Sequence, residues 1–259
     1  MTWMLVCMLC PTVAMASEAD PHASVVLAEL VYPTIVVPQG SMTLELPLNQ
    51  YLGTEYLEVP IVFEDDFRIG KYEVTNHLWD RCVADGACVD TEQTRPSGGP
   101  FHPVVHVSWH DAYQFSLWLS DITGRSYRLP TDHEWFYAAT AGADFRADDR
   151  TYDYSQLAEI RKTPKRVWPT GEFGENAWGM SDTLGNVWEW TLSCRSLARN
   201  TLLSPVDAAA LNDPSACITR IVGGEHRAHV PDFIRDTYSG GCATLRPASN
   251  LGFRLILEG

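Results

Sequence analysis

The N-terminal third of the chain alternates short apolar runs with proline, glycine and acidic residues. This pattern is typical of short strands, and it predicts them at Thr34 to Pro38, Val59 to Phe63 and Phe67 to Val74. Residues 17–33 show little pattern ahead of the first strand. We therefore expect a leader over 17–33 and regular structure after it.

Helix start signals appear further along the chain. Ser108 followed by Asp111 has the spacing of a capping box, and the apolar residues behind it predict a helix over about 109–121. A weaker helical pattern runs from Asn76 to Ala84. Both segments are therefore predicted to be helical.

Thr131 and Glu134 repeat the capping-box spacing. They predict a further helix that continues through about Ala141. Gly142 follows and is the residue type that commonly ends a helix.

The composition allows one large domain. The chain has 259 residues with 45% hydrophobic and 11% aromatic content, which is enough for a single substantial core. Nine tryptophans favour a loop-rich fold held by large side chains. The segments 143–170 and 195–216 lack a clear period and predict irregular loops.

The charge excludes some functions. A formal charge of −14 and a pI near 4.9 argue against nucleic acid as a partner, because phosphate binding requires clustered Lys and Arg. No segment reaches about 18 uninterrupted apolar residues, so no membrane span is predicted. Sequence motifs of serine hydrolases, phosphate loops and His-Glu-x-x-His metalloproteases are absent from the chain.

The first residues have the pattern of an export signal. An apolar run from Trp3 to Val13 is followed by Ala14-Met15-Ala16, a small-residue cleavage signature. No Lys or Arg precedes the run, which departs from the ideal signal. We expect a signal peptide over residues 1–16 and a secreted or periplasmic protein.

Five cysteines lie outside the predicted signal. In an oxidising compartment they would tend to pair. An Asp-Gly turn between Cys82 and Cys88 would bring these two sulfurs together. Cys194 and Cys217 flank a segment without clear pattern and are predicted to form a second bridge, while a pairing of Cys194 with Cys242 stays open.

The segment Gly179–Trp190 combines two carboxylates with turn glycines and large apolar residues. Asp182 and Glu189 offer hard oxygen ligands, and Gly185 permits a turn that aims backbone carbonyls at the same point. This mixture predicts a calcium-binding loop. The alternative is that the two carboxylates only cap turns and accept backbone hydrogen bonds.

Seven segments in register resemble the sulfatase-modifying-factor family, whose founding member is the formylglycine-generating enzyme. They are Thr34–Gly40, Phe67–Asn76, Pro103–Trp109, Arg128–Trp135, Gly179–Trp190, Val222–Gly224 and Asn250–Arg254. The resemblance implies one loop-rich α+β domain over residues 34–257, with the formylglycine-generating-enzyme-like fold and a C-type-lectin-like core. It also implies that the calcium ligands are Asp182, Gly185, Val187 and Glu189, the second and third through their carbonyls.

The chain departs from this family at the catalytic centre. The formylglycine-generating enzyme holds copper with two cysteine thiolates, which suit Cu(I). Alignment from the paired glycines Gly223 and Gly224 places Ala228 and Phe233 at these two positions. We therefore expect the copper-thiolate chemistry to be absent.

Other side chains near these positions offer different chemistry. Glu225, His226 and His229 supply one carboxylate and two imidazoles, a set that suits Zn, Fe or Cu(II) better than Cu(I). In a strand, however, His226 and His229 would point to opposite faces. The alternative is a polar cleft floor without a metal.

Two functions are consistent with this sequence. The first is an exported calcium-binding module whose cleft, beside Trp188 and Arg235 together with Glu225 and His229, binds a peptide or small molecule. The second is a cysteine-independent oxidoreductase that resembles the periplasmic pyoverdine-maturation branch of the family, with Glu225, His226 or His229 as bases or ligands of a transition metal.

Overall fold

The computed structural model describes residues 32–47, 56–90, 98–146, 166–194, 219–224, 228–231 and 249–259. The helices in these ranges are α1 (Asn76–Ala84), α2 (Trp109–Thr123) and α3 (Asp132–Ala139). The strands are β1 (Thr34–Val37), β2 (Gly40–Pro47), β3 (Tyr56–Phe63), β4 (Phe67–Gly70), β5 (Tyr127–Arg128), β6 (Phe145–Arg146), β7 (Trp188–Cys194), β8 (Thr219–Gly223), β9 (Ala228–Pro231), β10 (Leu251–Gly252) and β11 (Ile256–Leu257). The predicted α+β class is confirmed.

The capping boxes form as the sequence predicts. The Ser108 side chain accepts the amide of Asp111, and the Asp111 carboxylate accepts the amide of Ser108 at 2.9 Å. The same exchange joins Thr131 and Glu134 at the start of α3. Helix α3 ends at Ala139, earlier than predicted, because the chain turns there in the sequence Thr-Ala-Gly.

One sheet has the strand order β1-β4-β11-β5, and all its pairs are antiparallel. Strand β4 ends at Gly70 rather than at the predicted Val74. The reason is that the carbonyls of Gly70 and Lys71 both accept hydrogen bonds from the Arg254 side chain. The chain rejoins the C-terminal segment at Val74, whose amide donates to the carbonyl of Phe253 at 2.8 Å.

A second sheet, with the order β10-β7-β8-β9, carries most of the candidate site. Strand β7 is parallel to β10 and antiparallel to β8, and its register places Glu189 opposite Gly223. Strand β9 continues the sheet, with His229 opposite Ile221. This sheet therefore brings the end of the predicted calcium loop beside the paired glycines.

The third sheet, β3-β2-β6, packs with α3 around an apolar cluster. Members of this cluster include Leu44, Ile69, Phe136 and Met180. Met180 belongs to the loop that precedes β7, so the core fixes that loop directly.

Tryptophan indoles tie separate segments together in the interior. Trp109 donates to the carbonyl of Thr191 at 2.8 Å, and Trp190 donates to the carbonyl of Val107 at 3.0 Å. Both indoles are buried, so these bonds satisfy donors that would be costly to leave unpaired. They hold β7 against the start of α2.

The predicted bridge between Cys82 and Cys88 is confirmed, with Cα atoms 5.3 Å apart. It joins the last turn of α1 to the segment after the Asp-Gly turn. The second predicted bridge is not described, because Cys217 and the side chain of Cys194 lie outside the described residues. The alternative partner Cys242 lies outside them too.

Among the described residues, no helix is both long enough and apolar enough to cross a membrane.

Candidate functional site

The loop before β7 is held by side-chain bonds to its own backbone neighbours. Asp182 adopts a left-handed conformation with φ 59°, which aspartate tolerates better than most residues. Its carboxylate accepts the amide of Gly171 through one oxygen and the amide of Phe173, at 2.8 Å, through the other. Asp182 therefore joins the predicted calcium loop to the preceding turn.

The two predicted carbonyl ligands sit in different surroundings. Gly185 lies under the ring of Phe173, where a Cβ atom would approach the ring to 2.7 Å. Val187 is buried and packs with Val105 and Val167. The turn at Gly185 is thus closed by an aromatic ring, while Val187 anchors the chain to the interior.

Glu189 is fully buried at the start of β7, and both of its oxygens accept hydrogen bonds. Arg254 binds it in a bidentate manner, with Nε to Oε2 and Nη2 to Oε1 both at 2.6 Å. The indole of Trp135 donates to the same Oε2 at 2.8 Å. Such forked pairs are among the strongest hydrogen bonds in proteins.

All five N–H donors of Arg254 are used in the interior. Besides Glu189, they reach the carbonyls of Gly70 and Lys71 at 3.1 Å and the carbonyl of Ser181 at 3.0 Å. Burial alone would lower the pKa of Arg254, but the Glu189 carboxylate raises it, so the guanidinium stays charged. Arg254 connects β4, the loop and β7 through a single side chain.

Glu73 is a second fully buried glutamate in this region, and sequence analysis did not single it out. Within the described part of the chain, neither of its oxygens has a hydrogen-bond partner in another residue. Burial raises the pKa of Glu73 well above its usual value; Arg254 opposes this effect, while Glu189 and Asp182 add to it. The Glu73 carboxylate therefore interacts electrostatically with Arg254, Glu189 and Asp182.

The oxygen atoms in this region are of the type that calcium binds, but the carboxylates of Asp182 and Glu189 already accept hydrogen bonds from protein donors. Asp182 and Glu189 retain lone pairs beyond the hydrogen bonds described above. The buried oxygens without a hydrogen-bond partner among the described residues are Glu73 Oε1 and Oε2, Asn76 Oδ1, Ser181 Oγ and Asn250 Oδ1. Oxygen ligands of this kind are the ones calcium prefers. No group of three or more His, Cys, Asp and Glu side chains with metal-binding geometry occurs in the described part of the chain.

The backbone of the paired glycines, Gly223 and Gly224, lies directly against two tryptophan rings. A Cβ atom at Gly223 would lie 2.3 Å from the ring of Trp135, and one at Gly224 would lie 3.2 Å from the ring of Trp188. Trp135 is buried, whereas Trp188 is partly exposed. Only glycine allows both rings to lie so close to the backbone.

The structure describes the remaining predicted site residues only in part. His229 belongs to β9 and pairs with Ile221, which fixes its backbone position in the sheet. Glu225, His226 and Arg235 lie outside the described residues. The predicted convergence of Glu225, His226 and His229 therefore stays a prediction.

Sequence reasoning missed three residues of the buried cluster: Glu73, Trp135 and Arg254. A signal was present for Arg254, which interrupts the otherwise apolar run of residues 251–257, whereas Glu73 follows Lys71 in a mixed segment between β4 and α1. A charged residue in such a segment is rarely buried without a partner. The partner that Arg254 takes is Glu189.

A family model described as the sulfatase-modifying factor enzyme 1-like domain matches residues 26–258. The match includes every described helix and strand, since these run from Thr34 to Leu257. It begins ahead of Thr34, where the sequence pattern placed the start of the domain.

Relatives of known sequence give the same assignment. The chain is 30% identical over 171 residues to the inactive C-alpha-formylglycine-generating enzyme 2 of Bos taurus, covering 59% of this chain and 49% of the relative. It is 30% identical over 146 residues to the formylglycine-generating enzyme of Thermomonospora curvata, covering 50% and 46%. The chain thus spans about half the length of each of these relatives.

The fold is similar to that of PvdO from Pseudomonas aeruginosa. The TM-score is 0.59 at 23% sequence identity, with 87% of this chain and 94% of that chain covered. Likeness at this level of identity concerns the fold alone. The match of the family model over residues 26–258 shows that the chain belongs to the sulfatase-modifying factor enzyme 1-like family.

Proposed function

We propose that this protein is an exported, calcium-binding member of its family that uses the cleft beside Trp188 to bind a peptide or small molecule. The observation that carries the calcium proposal is the buried oxygen cluster around Glu189. Asp182 and Glu189 would hold the ion by their side chains, and Gly185 and Val187 by their carbonyls. A bound calcium ion would supply positive charge that fastens the loop to β7.

The proposed loss of oxidase chemistry rests on the sequence at the two copper positions. Ala228 and Phe233 stand where the family resemblance predicts thiolates. Neither side chain can bind Cu(I), which requires soft ligands. The similarity to a relative whose name describes it as inactive is consistent with this proposal.

The cleft is proposed at the paired glycines. The indole of Trp188 lies over Gly224 and is partly exposed, so it offers an aromatic surface to a ligand. Such amphipathic rings are common in ligand-binding sites. In this proposal, Arg235, Glu225 and His229 line the same cleft.

Export is supported by the disulfide between Cys82 and Cys88 and by the predicted signal over residues 1–16. Structural disulfides form in oxidising compartments and are rare in the cytosol. We therefore propose a secreted or periplasmic location.

The second candidate is a cysteine-independent oxidoreductase that uses a transition metal. Two observations favour it: a relative that is named a formylglycine-generating enzyme, and the position of His229 in β9, in the same sheet as the paired glycines. In this alternative, Glu225, His226 and His229 bind the metal or act as bases.

Elemental analysis of the purified protein separates the two candidates. The binding proposal predicts calcium in a fixed ratio to protein and no stoichiometric transition metal, both in the wild type and in His229→Ala. Stoichiometric iron, zinc or copper that disappears in His229→Ala would establish the oxidoreductase candidate instead. Ser41→Ala, at an exposed position of β2, is the control variant.

A further inference from the structure

Three large apolar side chains on three different loops are exposed to solvent. The exposed fraction is 68% for Phe101, 51% for Phe173 and 76% for Leu184. Single exposed apolar residues are ordinary on a protein surface, whereas a group of them marks an interaction site. The contacts between the three loops therefore decide whether these side chains act together.

Hydrogen bonds and packing bring the three loops together. The amide of Thr170 donates to the carbonyl of Phe101 at 2.9 Å, and Phe173 follows three residues later in the same turn. The ring of Phe173 lies against Gly185, where an added Cβ atom would be 2.7 Å from it. Leu184 immediately precedes Gly185. The three side chains thus lie on adjoining parts of one surface.

Side-chain hydrogen bonds hold this surface in place. The Asp182 carboxylate accepts the amides of Gly171 and Phe173. The side chain of Asn186 accepts the amide of Trp168 at 3.0 Å and donates to its carbonyl at 3.2 Å. A surface that is already ordered loses less conformational entropy when it binds a partner.

The charge beside the rings indicates the chemistry of the partner. Glu172 is exposed and directly precedes Phe173. The nearby Glu175 is paired with Lys71 at 2.7 Å, whereas none of the ion pairs in the described part of the chain involves Glu172. A carboxylate beside an exposed aromatic ring suits arginine, because a guanidinium stacks on the ring and pairs with the carboxylate.

A basic partner fits this surface better than a second copy of the chain does. Each copy has a formal charge of −14, and a symmetric contact through this surface would bring two Glu172 carboxylates together. The neighbouring part of the surface already holds a guanidinium on an aromatic ring, since Arg166 lies 3.8 Å from the ring centroid of Trp168. The same type of contact is open to a partner at Phe173.

We propose that Phe101, Phe173 and Leu184 form a docking surface for a segment of another protein in which arginine alternates with leucine or another large apolar residue. The apolar side chains of the partner cover Leu184 and the two phenylalanine rings, and an arginine pairs with Glu172. Neither the proposed calcium ion nor the cleft beside Trp188 is needed for this docking.

The test is fluorescence anisotropy of a fluorescein-labelled peptide of alternating leucine and arginine, titrated with the full-length protein. Two matched peptides replace every arginine by glutamate or every leucine by serine. We expect the leucine-arginine peptide to bind at least about tenfold more tightly than either, because it alone offers both the apolar and the basic groups. Its affinity should fall as salt is added, since the charge pair with Glu172 is exposed to solvent.

Variants of the protein locate the binding. Leu184→Ala should weaken binding of the leucine-arginine peptide by at least about fivefold, whereas Leu117→Ala, at an exposed leucine of α2, is the matched control and should bind as the wild type does. Glu172→Gln should weaken binding by about two- to fivefold at low salt, and the exposed Glu64→Gln should not. Both leucines are exposed, so neither alanine variant should change thermal unfolding.

Three results would overturn the docking surface. They are equal affinity in the wild type and Leu184→Ala, equal binding of the glutamate-containing peptide, and absence of binding by the leucine-arginine peptide. Sedimentation velocity tests the other occupant: a wild-type dimer that Leu184→Ala dissociates would assign the surface to a second copy of the chain instead.

Discussion

Arg254→Met is expected to lower the free energy of unfolding by about 3–5 kcal/mol. Methionine has a similar length and fills much of the same space, but it donates no hydrogen bonds. The substitution would leave Glu189 buried with only the Trp135 indole as a donor, and would remove the donors to the carbonyls of Gly70, Lys71 and Ser181. Urea denaturation followed by tryptophan fluorescence measures the change.

The control is Arg81→Met, which removes an exposed arginine paired with Asp85 at 3.7 Å on the surface of α1. Such surface pairs contribute at most about 1 kcal/mol, so this variant should unfold almost as the wild type does. Adding Glu189→Gln to Arg254→Met should recover part of the loss, because it removes the unpaired charge. A cost for Arg254→Met similar to that of Arg81→Met would show that the cluster does not hold the fold together.

Gly223→Ala is expected to destabilise the protein by about 3 kcal/mol and to disturb the cleft. The new methyl group would lie 2.3 Å from the ring of Trp135, a distance that non-bonded carbon atoms do not reach. Trp135 cannot move aside, because it is buried and its indole donates to Glu189. The backbone of β8 would therefore have to shift away from the ring.

Gly224→Ala is the matched control for this experiment. Its Cβ atom would meet the ring of Trp188 at 3.2 Å, and that ring is partly exposed and able to yield by a few tenths of an ångström. We expect a cost below about 1 kcal/mol. Thermal unfolding of both variants gives the comparison, and equal costs would contradict the tight contact between Trp135 and the backbone of Gly223.

Local signals predicted the helices well. The capping boxes at Ser108 and Thr131 use only residues three positions apart, so the sequence contains all that is needed to recognise them. The helix bounds Asn76–Ala84 also agree with the prediction. The overall class followed from the family resemblance rather than from periodicity.

The strands were harder to predict because many are short. Strands β5, β6, β10 and β11 have two residues each, and such lengths show no apolar alternation. Strand β7 contains the predicted loop ligand Glu189. Other polar residues of β7 are buried too, so the strand lacks the alternation of apolar and polar residues by which a strand is recognised. Its pairing with β8 and β10 joins segments far apart in the sequence, which local patterns do not reveal.

Sequence analysis identified the loop residues of the candidate site but not the residues that surround the loop. Asp182 and Glu189 were chosen for their oxygen atoms, and the structure places both in the interior with hydrogen bonds to other groups. The convergence of Glu73 and Arg254 on this loop depends on the packing of β4 and the C-terminal segment. Their roles therefore required three-dimensional information.

The most direct test of the account is equilibrium unfolding of the wild-type protein in excess calcium and in excess chelator. An ion that binds only the folded state raises the free energy of unfolding by about 2.7 kcal/mol when its concentration is 100 times the dissociation constant. We predict a stabilisation of this size by calcium that magnesium does not reproduce at equal concentration. Identical unfolding curves with and without calcium would contradict the account.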